Sequence, residues 1–211
     1  MADILDSIET PYVNAQTLVA LFSRYRKPRE VILRLANMGE LIRLKNGFYL
    51  IADRINQKGN TLIPFEQVAN LLYGPSYVSL EWALSFYGMI PEKVHAVTSM
   101  VLGRSKEYQT PIGDFLYYRS SESSYPWGIT QLKTVGFIGG FLMAMPEKAI
   151  CDLVYVHCKK LDKEQLRLEL LESKRIDPES LQKLDKKLLR EIGASYRTKS
   201  VAHLLDIVGT I

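Results

Sequence analysis

"LIRLKNGFYL", residues 41–50, places an Asn46-Gly47 pair between two short apolar-rich runs, the pattern of a tight β-hairpin. A two-residue loop would pair Lys45 with Phe48, Leu44 with Tyr49, Arg43 with Leu50 and Ile42 with Ile51. That register puts Ile42, Leu44, Tyr49 and Ile51 on one face, where they can cover helices. It turns Arg43 and Lys45 to the other face, with Asn46 at the tip. Such a hairpin is either ordinary sheet or the wing of a DNA-binding domain. What precedes it decides between the two.

Upstream, "ADILDSIE" reads as a short helix carrying Ile4, Leu5 and Ile8 at helical spacing. Asn14 suits the N-cap of "AQTLVALF", whose Leu18, Leu21 and Phe22 share a face. The turn "SRYRK" follows, and Pro28 fits the first position of another helix. In "PREVILRLANMG", Val31, Ile32, Leu35 and Met38 are expected on the buried face. Glu30, Arg34 and Asn37 fall on the opposite one, and Gly39 marks the stop. Two helices joined by a short turn match a helix-turn-helix whose second helix would enter the major groove. Helix, helix, helix and basic hairpin in that order predict a winged helix over residues 1–53. Arg29 can donate two hydrogen bonds to guanine, Arg24 and Lys27 can neutralise phosphates, and Arg43, Lys45 and Asn46 would contact the backbone from the wing.

The charge distribution agrees with this reading. The whole chain of 211 residues carries a net charge of only +4. Between Ser23 and Lys45, however, Arg24, Arg26, Lys27, Arg29, Arg34, Arg43 and Lys45 face only Glu30 and Glu40. A local cationic excess of this kind is an electrostatic footprint for phosphate, although a solvated basic surface would look the same. No apolar run reaches the length of a membrane span, and "MADILDSIET" lacks the basic-then-apolar order of a secretory signal. A cytoplasmic protein is the expectation. Cys151 and Cys158 lie seven residues apart in a predicted helix, roughly 10 Å along its axis, too far for a disulfide. No second Cys/His pair joins them and His157 in a zinc site, so buried free thiols are expected.

"ADRINQKGNTL" is polar and contains Gly59, which places a linker at residues 54–63. The remainder, residues 64–211, alternates helical and strand-like patterns. "PFEQVANLLYG" and "SLEWALSFYG" read as helices, with Tyr73, Tyr77, Trp82 and Phe86 as expected core. "VHAVTSMVL", "GDFLYYR", "GITQLKTV" and "GFLMAM" read as strands. "PEKAICDLVYVHC", "KEQLRLELLES", "PESLQKLDKKLLREIG" and "KSVAHLLDIV" read as helices. The expected fold class is therefore α+β: an N-terminal winged helix-turn-helix, then a mixed α+β domain ending in a helical tail.

No catalytic constellation is recognisable. Glu147 and Asp152 are five residues apart, which does not align them on one helix face, and a Glu after a helix-starting Pro has an electrostatic explanation. His95, His157 and His203 are scattered, and "GFIGGF" lacks the Lys-Ser/Thr of a phosphate-binding loop. Neither an enzyme nor a cofactor or metal is expected.

Three stretches, "LLYGPSYVSLEWALSFYGMIPEKV", "TPIGDFLYY" and "LMAMPEKAICDLVY", together resemble the abortive-infection antitoxin family AbiEi of bacterial type IV toxin–antitoxin systems. The resemblance implies an N-terminal winged helix that represses its own operon by binding promoter DNA. It also implies a C-terminal part with antidote activity against a nucleotidyltransferase-like toxin. Under that resemblance the repressor role falls on Arg26, Lys27, Arg29, Arg34, Arg43 and Lys45, and no catalytic motif carries over. The competing expectation is a protein- or RNA-interaction module that merely contains a winged helix. Its surface would lie on the aromatic α+β part and the amphipathic segment around Leu166, Leu170 and Leu171.

Overall fold

A computed structural model describes residues 2–57, 60–61, 63–133 and 139–210. The chain is mixed α and β. Its N-terminal part runs α1 (Ala2–Asp6), β1 (Tyr12–Asn14), α2 (Ala15–Leu21), α3 (Pro28–Asn37), β2 (Leu41–Lys45) and β3 (Phe48–Ile51). Asn14 caps α2, its side chain accepting the Thr17 N–H at 2.8 Å. Pro28 opens α3, and Gly39 closes it with a φ of +77° while the Glu40 N–H returns to the Leu35 carbonyl. Val31, Ile32 and Leu35 are buried as their spacing requires, together with Leu5, Val13, Leu18 and Phe22. Met38 departs from expectation and is 62% exposed. It sits at the C-cap of α3, next to the turn at Gly39.

The hairpin forms with the expected Lys45–Phe48 pair beside the turn, but the three pairs expected beyond it differ. The pairs are Leu41 with Ile51, Ile42 with Leu50 and Arg43 with Tyr49, and a bulge follows before Lys45 meets Phe48. Gly47 takes a φ of +76° and Asn46 does not adopt a positive φ, whereas the expected two-residue turn needs both residues left-handed. The loop keeps its two residues and the expected Lys45–Phe48 pair, and the bulge at Leu44 slips the ladder beyond it by one. A one-residue slip exchanges faces. Leu41, Tyr49 and Ile51 cover the helices, while Leu44 and Leu50, with Ile42 and Phe48, pack into the core of the rest of the chain. Ile42 and Leu44 thus lie opposite to the face expected for them, and neither face of the hairpin is open along its length.

Gly47 is the pivot of this arrangement, and its carbonyl also accepts the Ala15 N–H at the start of α2. Gly47→Ala is expected to cost about 1–2 kcal/mol, because an L side chain is disfavoured at this φ. Gly47→Asn should cost less, since asparagine tolerates the left-handed region. Urea denaturation of the two variants checks the order.

Beyond β3, the residues 54–63 expected as a linker begin inside α4 (Ala52–Ile55). They continue as a short pair, β4 (Asn56–Gln57) with β5 (Asn60–Thr61). Gly59 lies outside the described residues. The larger part contains α5 (Phe65–Leu72), β6 (Ser76–Val78), α6 (Leu80–Phe86), β7 (Val97–Val101), β8 (Lys106–Thr110), β9 (Gly113–Arg119), β10 (Ile129–Leu132) and β11 (Phe141–Ala144). Six of these strands form a mixed sheet in the order β10-β11-β6-β7-β9-β8. The end of the expected strand "GITQLKTV" lies outside the described residues. β6 went unread in the sequence, yet it is central and wholly buried; three residues are too few for a period. β8 was missed for the opposite reason, being a polar edge strand with no alternating apolar face.

Helices cover both faces of this sheet. On one face the Tyr117 hydroxyl donates to the Ala69 carbonyl in α5 at 2.7 Å. On the other, the Tyr77 hydroxyl reaches α7 (Pro146–His157). Behind α7 lie α8 (Lys163–Leu168), a π-helical turn over Glu169–Ser173, α9 (Pro178–Gln182), α10 (Lys186–Ala194) and α11 (Lys199–Thr210). The single helix expected over residues 178–193 is broken, because Asp185 caps α10 by accepting the Lys187 and Leu188 N–H groups. The C-terminal helices are not a tail. Leu166, Leu170, Leu189, Ile192, Val201 and Leu204 are buried in the same core as the sheet. Of the expected aromatic core, Tyr77 is fully buried, Tyr73 and Trp82 are packed against the core, and Phe86 is exposed. Cys151 and Cys158 are buried free thiols.

Candidate functional site

Three N-terminal elements converge on one groove of about 580 Å³. α2 contributes Gln16 and Val19, α3 contributes Arg29, Ile32 and Leu33, and the hairpin contributes Arg43, Asn46 and Tyr49. Its lining pairs two guanidinium groups with an apolar floor, and among the described residues no carboxylate lines it. Arg43 donates from Nη2 to Asn46 Oδ1 at 3.2 Å, which fixes one cation at the hairpin tip. Arg29 reaches the same space from the first turn of α3, the turn that begins at Pro28. A planar guanidinium with several fixed donors is well matched to phosphate oxygens and to the paired acceptors of guanine.

The other cations singled out in the sequence divide between two further places. Arg26, Lys27 and Arg34 line a smaller groove of about 390 Å³ with Tyr25, Glu30 and Val31 on the adjacent flank of α3. Lys27 is engaged there by Glu30 at 2.6 Å, and Arg24 lies over the Tyr25 ring at 5.4 Å. Exposed pairs of this kind are weak and yield readily to a competing anion. Asn37 is exposed at the last helical position of α3.

Lys45 is a correction. The sequence places it beside Arg43 on an open basic face, but the bulge turns it toward the larger part of the chain. There Nζ donates to the Leu72 carbonyl at the end of α5 and lies 5.7 Å from the Phe48 ring centroid. Arg43 and Asn46 remain in the groove without it. Gln16 and Leu33 also line the groove, and the sequence did not single them out. Leu33 lies about one turn after Arg29 and is exposed, and an apolar residue carries no local signal that separates a groove position from the core. No protein-family model matches this chain, and no curated protein matches it either.

A second group of charged residues is of a different kind. Lys148 and Asp152 in α7 have side chains at 0% exposure and stand 3.2 Å apart. Asp152 accepts hydrogen bonds from the hydroxyls of Ser79 at 2.7 Å, Tyr196 at 2.6 Å and Tyr77 at 3.1 Å. Lys148 donates to the Ser124 carbonyl at 2.9 Å and to the Tyr196 oxygen. Burial, and then the Asp152 carboxylate, push the Tyr77 and Tyr196 hydroxyls well above their ordinary range, so they act as donors. Every partner comes from within the fold, and the arrangement ties β6, α7 and the segment after α10 together. Glu147 points elsewhere and accepts the Asp185 N–H at 2.9 Å. Glu147 and Asp152 therefore do not form a joint site. Among the described residues no group of three His, Cys, Asp or Glu side chains is placed to hold a metal ion. No helix among them is long and apolar enough to cross a membrane.

Proposed function

We propose that residues 2–51 form a winged helix-turn-helix that binds double-stranded DNA. On this reading the protein is the autorepressor and antitoxin of a type IV toxin–antitoxin system, opposing a nucleotidyltransferase-like toxin. The observation that carries the DNA-binding half is the groove between the start of α3 and the hairpin tip, where Arg29, Arg43 and Asn46 meet and no carboxylate among the described residues lines it. Such a groove lets α3 approach base edges while the tip holds the flanking backbone. The flank bearing Arg24, Arg26, Lys27 and Arg34 supplies further phosphate contacts. Asn37, at the far end of α3, is suited to the donor–acceptor edge of adenine.

The antitoxin half rests on the sequence resemblance, and its partner is a toxin that the protein opposes functionally. For the competing interaction-module reading, Leu166 and Leu170 are buried in the core and Leu171 is partly buried, which leaves less apolar surface there than that reading expects. A mobility-shift titration with DNA from upstream of the protein's own gene tests the proposal. A complex is expected at low salt, with affinity falling steeply as salt rises. No complex at low salt would rule the reading out.

A further inference from the structure

Leu33 is 55% exposed in the middle of α3 and lines the groove that holds Arg29 and Arg43. It follows Arg29 by four positions, so the two side chains lie on one strip of the helix and differ by about 6 Å along its axis. Val19, Ile32 and Tyr49 extend the apolar lining beneath it. A solitary exposed leucine needs no explanation, but this one continues an apolar floor to the rim of a cationic groove. A phosphate-binding surface alone gains nothing from an apolar rim, whereas the thymine C5-methyl group in the major groove is an apolar feature of a base edge.

We infer that Leu33 is a specificity-determining residue that reads a thymine methyl group. The thymine lies one or two base pairs from the guanine contacted by Arg29, because 6 Å along the helix corresponds to roughly two base-pair steps of 3.4 Å. This inference rests on the DNA-binding reading above and goes beyond it by naming an apolar base contact outside the cationic set. The strip then presents a guanidinium, an isobutyl group and, at Asn37, an amide in order along α3. Each matches a different base edge.

The test uses the full-length protein and the duplex that it selects from a random pool. The duplex is prepared once with thymine and once with deoxyuridine throughout, which removes only the methyl groups. The wild type is expected to bind the uridine duplex about fourfold more weakly, the loss of one methyl-sized apolar contact. Leu33→Ala should show a similar loss on the thymine duplex and no further loss on the uridine one. The half-exposed position and the helix-favouring replacement leave the fold intact, which circular dichroism verifies. Equal wild-type affinity for both duplexes overturns the inference while leaving DNA binding standing, as does undiminished discrimination in Leu33→Ala. A pool from which nothing is enriched overturns both the inference and the reading beneath it.

Discussion

Asp152→Ala is expected to lower the melting temperature by about 6–20 °C. Removing one partner of a buried ion pair costs about 3–5 kcal/mol, and in a domain of this size each kcal/mol moves the midpoint by about 2–4 °C. The cost arises because Lys148 stays at 0% exposure with its charge uncompensated. The hydroxyls of Tyr77, Ser79 and Tyr196 lose their common acceptor at the same time. Replacing both ends, Lys148→Met with Asp152→Leu, removes the charges together and should recover a substantial part of the loss. Calorimetry on the single and double variants measures both effects. A single variant melting within about 2 °C of the wild type would show that the network contributes little.

Arg29→Ala is expected to weaken specific DNA binding by about fivefold to 150-fold, the range for losing one bidentate base contact of about 1–3 kcal/mol. Binding to unrelated DNA should change far less, since phosphate neutralisation is spread over the other cations. Lys45→Ala provides the contrast. Its ammonium already serves the Leu72 carbonyl and faces the core side of the hairpin, so the salt dependence of binding should stay as it is in the wild type. A salt slope reduced by about one in Lys45→Ala would return Lys45 to the DNA-facing set. Unchanged specific affinity in Arg29→Ala would remove α3 as the recognition element.

Local sequence signals placed the N-terminal helices well. The Asn14 cap, Pro28 at the start of α3 and Gly39 at its end act through neighbours three to five residues away, and such effects can be read from a short window. The same holds for α7, which Pro146 opens at its first position. Signals failed where a distant partner decided the outcome. β6 is a strand because β7 and β11 flank it, and nothing within Ser76–Val78 announces that. The stretches "YGPSYVSLEWAL" and "PEKAICDL" come together only in the fold. They meet where Tyr77 and Ser79 donate to Asp152, so those three residues belong to the core of the larger part.

For the hairpin at residues 41–51 the division is clear. The sequence by itself determined that the chain turns back at Asn46-Gly47 and that cations cluster around α3, because turn chemistry and charge are local properties. The tertiary structure decided the register. A bulge flanked by a left-handed Gly47 moved Leu44 into a core supplied by residues far along the chain and drew Lys45 to Leu72. A strand with apolar residues at both parities can bury either face. The surfaces waiting on each side choose between them, and those surfaces exist only once the rest of the chain has folded.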